Sequence, residues 1–157
     1  MAPTPRITPH SAFQTLPLVD IQGLFSDCAA ARIETAAALG RAASQAGFLY
    51  VTGHGIDPQI INRIKQRTVE YFAQPLEQKM NDYIGLSSNH SGYVPEGEEQ
   101  FVEGSIDHKE AFDVGFDYRL PHGTRPMLGA NRWPALPGFK QDVKAYYDAV
   151  FSLNLTL

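Results

Sequence analysis

Cysteine is almost absent from this chain, and that absence excludes a disulfide-stapled fold. The single thiol, Cys28, fits a reducing compartment. Long apolar runs are missing as well: no stretch approaches the ~18 residues that read as a membrane span. The opening MAPTPRITPHSAFQ lacks the apolar centre of a secretory signal. Basic clusters are also lacking. Thirteen Lys and Arg against 17 Asp and Glu give a net charge of -4, a poor balance for gripping a nucleic-acid backbone. The chain carries no repeat and no low-complexity tract. These absences lead us to expect a cytoplasmic protein with neither a nucleic acid nor a membrane as partner. What is present is ordinary for a folded domain: 157 residues, 43% apolar and 19% charged, enough for one sizeable core.

Residues 1–15, with Pro3, Pro5 and Pro9, read as a flexible arm. Leu16 to Ile21 reads as a short strand that Pro17 pushes towards an edge. A helix is predicted from Cys28 to Ala46, capped by Ser26 or Asp27, with an apolar stripe of Ile33, Ala36, Ala37, Leu39 and Ala43 and a stop at Gly47. Phe48 to Thr52 is too short for a helix and predicts a buried strand. Asp57-Pro58 opens a second helix, whose apolar face runs from Ile60 to Phe72, and Pro75 opens a short third piece. Residues 85–107, rich in glycine, serine and acidic groups, read as a long loop, and loops of that length usually serve a function. Glu110 to Phe116 reads as a strand. The last helix places Phe139, Val143, Tyr146, Val150, Leu153 and Leu157 on one face, and Lys140, Asp142, Lys144 and Asp148 off it. The stripe continues to the final residue, so its apolar face calls for a cover from further chain or from another chain.

The order of these features resembles one family. Phe48, Gly53, His54, Gly55 and Ile56 match its strand-to-turn signature, and Phe72, Pro75, Glu77 and Lys79 match the segment after its second helix. Gly92-Tyr93, Lys109, Glu110 and Phe112, then Trp133-Pro134, match the later landmarks. The chain thus resembles the N-terminal region of the isopenicillin N synthase-like, 2-oxoglutarate- and Fe(II)-dependent dioxygenases over residues 16–157. The resemblance implies an α+β fold, with helices packed on a few short strands, forming the N-terminal part of a double-stranded β-helix (jelly-roll) oxygenase. It implies an N-terminal domain over 16–134 and, over 135–157, the start of a helix leading to an absent catalytic half. That half, in the complete enzyme, would hold Fe(II) and 2-oxoglutarate and oxidise a small organic substrate. The other reading is a stand-alone module that binds a protein partner through its last helix.

A non-haem iron site needs two histidines and a carboxylate on one face of the metal. The family's His-x-Asp, its second histidine and its Arg-x-Ser are all lacking here, so no catalytic residue and no metal ligand is expected in this chain. His108-Lys109-Glu110, with His122 as a third donor, imitates a ligand set but precedes the region where the family builds its metal site. His54, flanked by Gly53 and Gly55, is expected to bond backbone at a tight turn, and Lys109 with Glu110 to form a structural ion pair. By resemblance, Tyr93, with Asn89 and Ser91 in the same loop, lines the substrate pocket. Trp133-Pro134 is a packing unit, and Cys28 is expected to be inert.

Overall fold

Strand β1, Leu18–Asp20, lies parallel to β2, Tyr50–Thr52, pairing Leu18 with Tyr50, Val19 with Val51 and Asp20 with Thr52. Parallel strands need a crossover, and helix α1, Ala29–Ala46, supplies it. A computed structural model describes residues 15–98, 106–118 and 127–157; the expected arm falls almost wholly outside these, as does His122. The chain divides into two compact units, one of the residues up to Ile56 with Val150–Leu157, the other of Asp57–Ala149.

The first unit buries Val19, Ile21 and Ala42, with Leu39, Val51 and Leu153 packed against them. Helix α1 turns a different face inward from the predicted one. Ala31, Thr35, Ala38, Leu39, Ala42 and Ala46 are its covered positions; of the predicted stripe only Leu39 is among them, whereas Ile33, Ala36, Ala37 and Ala43 are exposed. The reason is steric. A 3-10 turn at Gln22–Phe25 comes so close that a Cβ on Gly23 would lie 2.2 Å from Thr35 Oγ1 and 3.1 Å from the Ala31 carbonyl. Small side chains and a close neighbour choose the face, and an alanine-rich helix offers little apolar phase against that choice. The expected caps differ too: Ser26 Oγ accepts the Cys28 N–H at 3.1 Å, and Cys28 holds the cap position with no side-chain bond. Gly47 ends the helix in the left-handed conformation, as expected. Strand β2 is covered on its Val51 side only; Tyr50 and Thr52 are exposed, so the strand is half-buried rather than buried.

In the second unit α2, Pro58–Phe72, starts where its signals place it. Asp57 Oδ1 accepts the Gln59 N–H at 2.8 Å, and Pro58 takes the first helical position. Helix α3 is Leu76–Met80. Residues 85–107, expected to be loop, contain strand β3, Gly92–Val94, which is buried at all three positions. It runs antiparallel to β4, Ala111–Asp113, pairing Tyr93 with Phe112. Gly92 has φ +132°, and a Cβ there would lie 2.3 Å from the Asp82 carbonyl. The glycine that reads as loop is what lets the strand pass that close. Around this hairpin Tyr71, Tyr93 and Phe139 form an aromatic core with Phe112 and Trp133. The Tyr71 ring stands 5.0 Å from both Phe112 and Phe139, edge-on to Phe112.

Helix α4 is Phe139–Asn154. Phe139 is buried and Val143, Val150 and Leu153 are partly covered, as the stripe predicts, while Tyr146 and Leu157 are exposed. Asp142, expected off the inner face, is buried because α2 offers it a partner: Arg67 Nε donates to Asp142 Oδ2 at 2.9 Å. The helix stops at Asn154 instead of running on, and the Thr156 N–H closes a turn on the Leu153 carbonyl at 2.9 Å. Among the described residues no helix is long and apolar enough to cross a membrane.

Candidate functional site

Three short segments of the second unit bring their polar groups to one carboxylate. Helix α3 carries Lys79 near its end, β3 carries Tyr93 at its centre, and Glu110 immediately precedes β4. Lys79 Nζ donates to Glu110 Oε2 at 2.5 Å, and the Tyr93 hydroxyl donates to the same oxygen at 2.6 Å. The ammonium also reaches the Phe72 carbonyl at 3.3 Å and sits 5.3 Å from the centre of the Tyr93 ring. Only 8% of the Lys79 side chain is exposed, against 32% of Glu110. Burial by itself would raise the Glu110 carboxyl; the hydrogen bonds from Lys79 and Tyr93, with the Lys79 charge, outweigh it and hold the carboxyl below its usual range. Burial first, then the Glu110 bond, pushes the Tyr93 phenol up to about 12. Burial also raises Asp82, against the lowering charge of Arg132 and the bond from Tyr71. The expected pair of Lys109 with Glu110 does not form. Neighbouring residues in extended chain point to opposite sides, and Lys109 Nζ meets Asp107 at 3.1 Å while Glu110 turns inward.

A second polar knot fastens residues 87–91. Ser87 Oγ donates to Asn89 Oδ1 at 2.6 Å and accepts the N–H groups of Asn89 and Ser91 at 3.2 and 3.1 Å. Ser91 Oγ donates to Asn89 Oδ1 at 3.1 Å and accepts the Arg132 N–H at 2.9 Å. Asn89 Nδ2 donates to the Gly129 carbonyl at 3.1 Å. Between them His90 holds a left-handed φ of 51°, an uncommon conformation for a residue other than glycine. Asn89 and Ser91 are therefore brought together, whereas Tyr93 lies in the strand with its hydroxyl on Glu110.

A cleft of about 180 Å³ opens between Val114–Asp117, Asn131, Trp133 and the α4 residues Lys144, Tyr147 and Asp148. Asn131 shapes its floor, accepting the Gly115 N–H at 3.0 Å and donating to the Gly115 carbonyl at 2.8 Å. Its walls come from three separated segments, so no local motif in the sequence marks it. It is smaller than the ~300 Å³ at which small-molecule pockets usually begin.

Of the imitation ligand set, His122 lies outside the described residues and the other two members turn to separate partners. His108 is exposed with Nδ1 2.8 Å from Glu96 Oε1, and Glu110 is committed to Lys79 and Tyr93. His54 Nδ1 accepts the Ile56 N–H at 3.1 Å, the backbone bond of a tight turn. Among the described residues no three His, Cys, Asp or Glu side chains gather where a metal could bind. These donors do not fit the two-histidine, one-carboxylate requirement of non-haem iron.

The described residues gather one charged cluster from α3, β3 and the start of β4 and no group of metal-binding donors. By the family model described as non-haem dioxygenase in morphine synthesis N-terminal, which matches residues 16–136, the chain belongs to the non-haem dioxygenase N-terminal family. It is 32% identical over 142 residues to Homoarginine-6-hydroxylase 2-ODD-C23.2 of Arabidopsis thaliana, covering 84% of this chain and 40% of that protein. It is 30% identical over 137 residues to Homoarginine-6-hydroxylase 2-ODD-233 of Oryza sativa subsp. japonica, covering 81% of this chain and 42% of that one. The fold matches a putative 2OG-Fe(II) oxygenase family protein of Caulobacter crescentus with a TM-score of 0.73 and 27% identity, over 90% of this chain and 45% of that chain. A full-length Neurospora crassa protein, solved in complex with alpha-KG, matches with a TM-score of 0.73 at 24% identity, over 90% of this chain and 44% of that chain. The chain thus spans well under half the length of the relatives it matches.

Proposed function

We propose that this chain is the N-terminal portion of a 2-oxoglutarate- and Fe(II)-dependent oxygenase that oxidises a small organic substrate, and that it does not hold the iron itself. The family match over residues 16–136, in relatives more than twice as long, carries this reading. Residues 1–15 are then an arm, 16–134 the N-terminal domain, and 135–157 the start of the helix leading into the jelly-roll half. Fe(II) and 2-oxoglutarate belong to that half, in keeping with a donor set here that does not suit iron. Asn89 and Ser91 contribute to the substrate-pocket wall on a segment already tied to Gly129 and Arg132. Tyr93 acts from beneath, holding β3 to Glu110. A cytoplasmic setting suits the lone exposed thiol of Cys28. The second reading, a stand-alone module that docks a protein through α4, draws on the exposed Tyr146 and Phe151 of that helix.

Anaerobic calorimetric titration of the 157-residue chain with Fe(II), with and without 2-oxoglutarate, tests the first reading. The expected result is no stoichiometric site. One-to-one binding that strengthens with 2-oxoglutarate would overturn it and return His108 and Glu110 to consideration as ligands.

A further inference from the structure

The cleft beside α4 has no task in the oxygenase reading. It lies wholly within the second unit. On β4, Phe112 packs into the aromatic core, and the cleft opens where the chain leaves that strand. Trp133, itself packed against the core, forms one wall. Phe116 and Tyr147 add two further rings, and Asp117, Lys144 and Asp148 add charge. The charges do not cancel. Lys144 Nζ donates to both oxygens of Asp148, at 3.0 and 2.8 Å. Asp117 is left over: its Oδ1 accepts the Asn131 N–H at 2.9 Å, and among the described residues its Oδ2 accepts none. The wall that bears Phe116 and Asp117 is fixed in advance. Asn131, 8% exposed, holds Gly115 by both its N–H and its carbonyl, and the Tyr118 N–H donates to the Gly129 carbonyl at 3.1 Å.

Rings beside one uncompensated carboxylate suit a particular ligand. The negative face of an aromatic ring attracts a cation without needing a hydrogen bond, and the carboxylate adds a Coulombic pull. Trp133 displays this chemistry within the chain: Lys140 Nζ, from outside the cleft lining, stands 5.5 Å from the centre of its ring. Other ligands fit worse. An anion meets net negative charge. A metal ion meets one available carboxylate, and among the described residues no three metal-binding side chains gather. A neutral apolar group would cover Asp117 without answering its charge, which costs free energy. A volume of about 180 Å³ admits a head group rather than a drug-sized molecule. We infer that this cleft binds a small organic cation, its methylated ammonium or guanidinium head group seated against Phe116, Trp133 and Tyr147 and facing Asp117. The inference does not depend on the oxygenase reading.

Trp133 is the only tryptophan of the chain, so its fluorescence reports on the cleft directly. The 157-residue chain is titrated with choline, with methylguanidinium, and with the neutral isostere of choline in which carbon replaces the ammonium nitrogen. The expected result is a saturable change with at least one cation. Its Kd should lie at least ~10-fold below that of the neutral isostere, the scale of a desolvated cation–π contact. The tighter-binding cation identifies the head group. Asp117→Asn keeps an oxygen for the Asn131 N–H and removes only the charge; it should weaken binding ~5-fold or more. Phe116→Leu, at a position 55% exposed, keeps apolar bulk and removes the ring, and should weaken binding by a similar factor. Thermal melts that match the parent show both variants folded. No saturable change with either cation overturns the inference. Equal binding of choline and its isostere also overturns it, and makes the cleft an apolar crevice. Unaltered affinity in both folded variants overturns it too, and places the cation elsewhere.

Discussion

Lys79 Nζ donates to Glu110 Oε2 at 2.5 Å across 31 residues of sequence, and the cation is the more deeply buried partner. Removing Glu110 therefore strands an ammonium and a phenol, whereas removing Lys79 leaves a third-exposed carboxylate still bonded by Tyr93. Glu110→Met should cost ~2–4 kcal/mol and Lys79→Met ~1–2 kcal/mol. The double substitution should cost less than their sum, because the second change removes the stranded charge. Urea denaturation of the four proteins reads all three numbers. A larger loss for Lys79→Met would reverse the assignment of the buried partner.

The same cluster sets the pH dependence. Glu110 is held below its usual 4.5. Its contribution is therefore fully present above pH 4.5 and lost as pH falls through the lower folded value. Tyr93 is raised from 10.0 to about 12, so its contribution is present below pH 10 and lost as pH rises towards 12. Asp82 is raised from 3.8 and has the opposite sign to Glu110: the fold favours its neutral form, and that gain disappears as pH rises. Stability curves should show Glu110→Met flattening the acid limb and Tyr93→Phe flattening the alkaline limb. Asp82→Asn should gain stability over the parent at pH 7 and lose that advantage near pH 3. Unchanged limbs in these variants would separate the cluster from the pH response.

The starts and stops of helices were legible because single residues make them: Asp57 bonds the Gln59 N–H, and Gly47 turns left-handed. Faces were less legible. On α1 the alanines at 36, 37, 38, 42 and 43 are interchangeable to any periodicity argument, and the 3-10 turn beside Thr35 breaks the tie. The Lys79–Glu110 pair escaped because Lys109 adjoins Glu110 and local pairing is the only pairing a sequence displays. The signal that points to it is the resemblance itself, since Lys79, Tyr93 and Glu110 each sit in a separate matching segment. Asp142 was misplaced for a related reason: its charge argues for solvent until Arg67, on another helix, is brought to it.

That burial difference yields a clean contrast on one helix. Asp142 carries a side chain only 10% exposed between Arg63 and Arg67, whereas Lys144 and Asp148 pair at 2.8 Å with 58% of each side chain exposed. Asp142→Ala should cost ~1–3 kcal/mol, because Arg67 keeps Glu70 at 2.6 Å but loses its charged hydrogen-bond partner on α4. Lys144→Ala should cost less than ~0.5 kcal/mol, the usual worth of a surface pair on a helix. Chemical denaturation at low and high salt distinguishes them further: added salt should erase the small Lys144 effect and leave most of the Asp142 effect. Equal losses would mean that α4 is held by its apolar side alone.

Ser91 is fully buried, and its hydroxyl stands between Asn89 and the Arg132 N–H. Ser91→Ala deletes an acceptor that the Arg132 N–H cannot replace from solvent, so the expected cost is ~1–3 kcal/mol. Ser91→Thr keeps the oxygen but adds a methyl group at a position with no exposed surface, and should cost ~1–3 kcal/mol by overpacking. Ser88, exposed one turn of chain away, is the control: Ser88→Ala should change stability by no more than ~0.5 kcal/mol. Amide exchange gives the local readout. If Ser91 fastens the 87–91 segment to Arg132, the Arg132 amide should lose protection in Ser91→Ala while α2 amides keep theirs. Uniform loss across both would make Ser91 a general core residue and remove the reason to place the segment, as a fixed wall, beside a substrate.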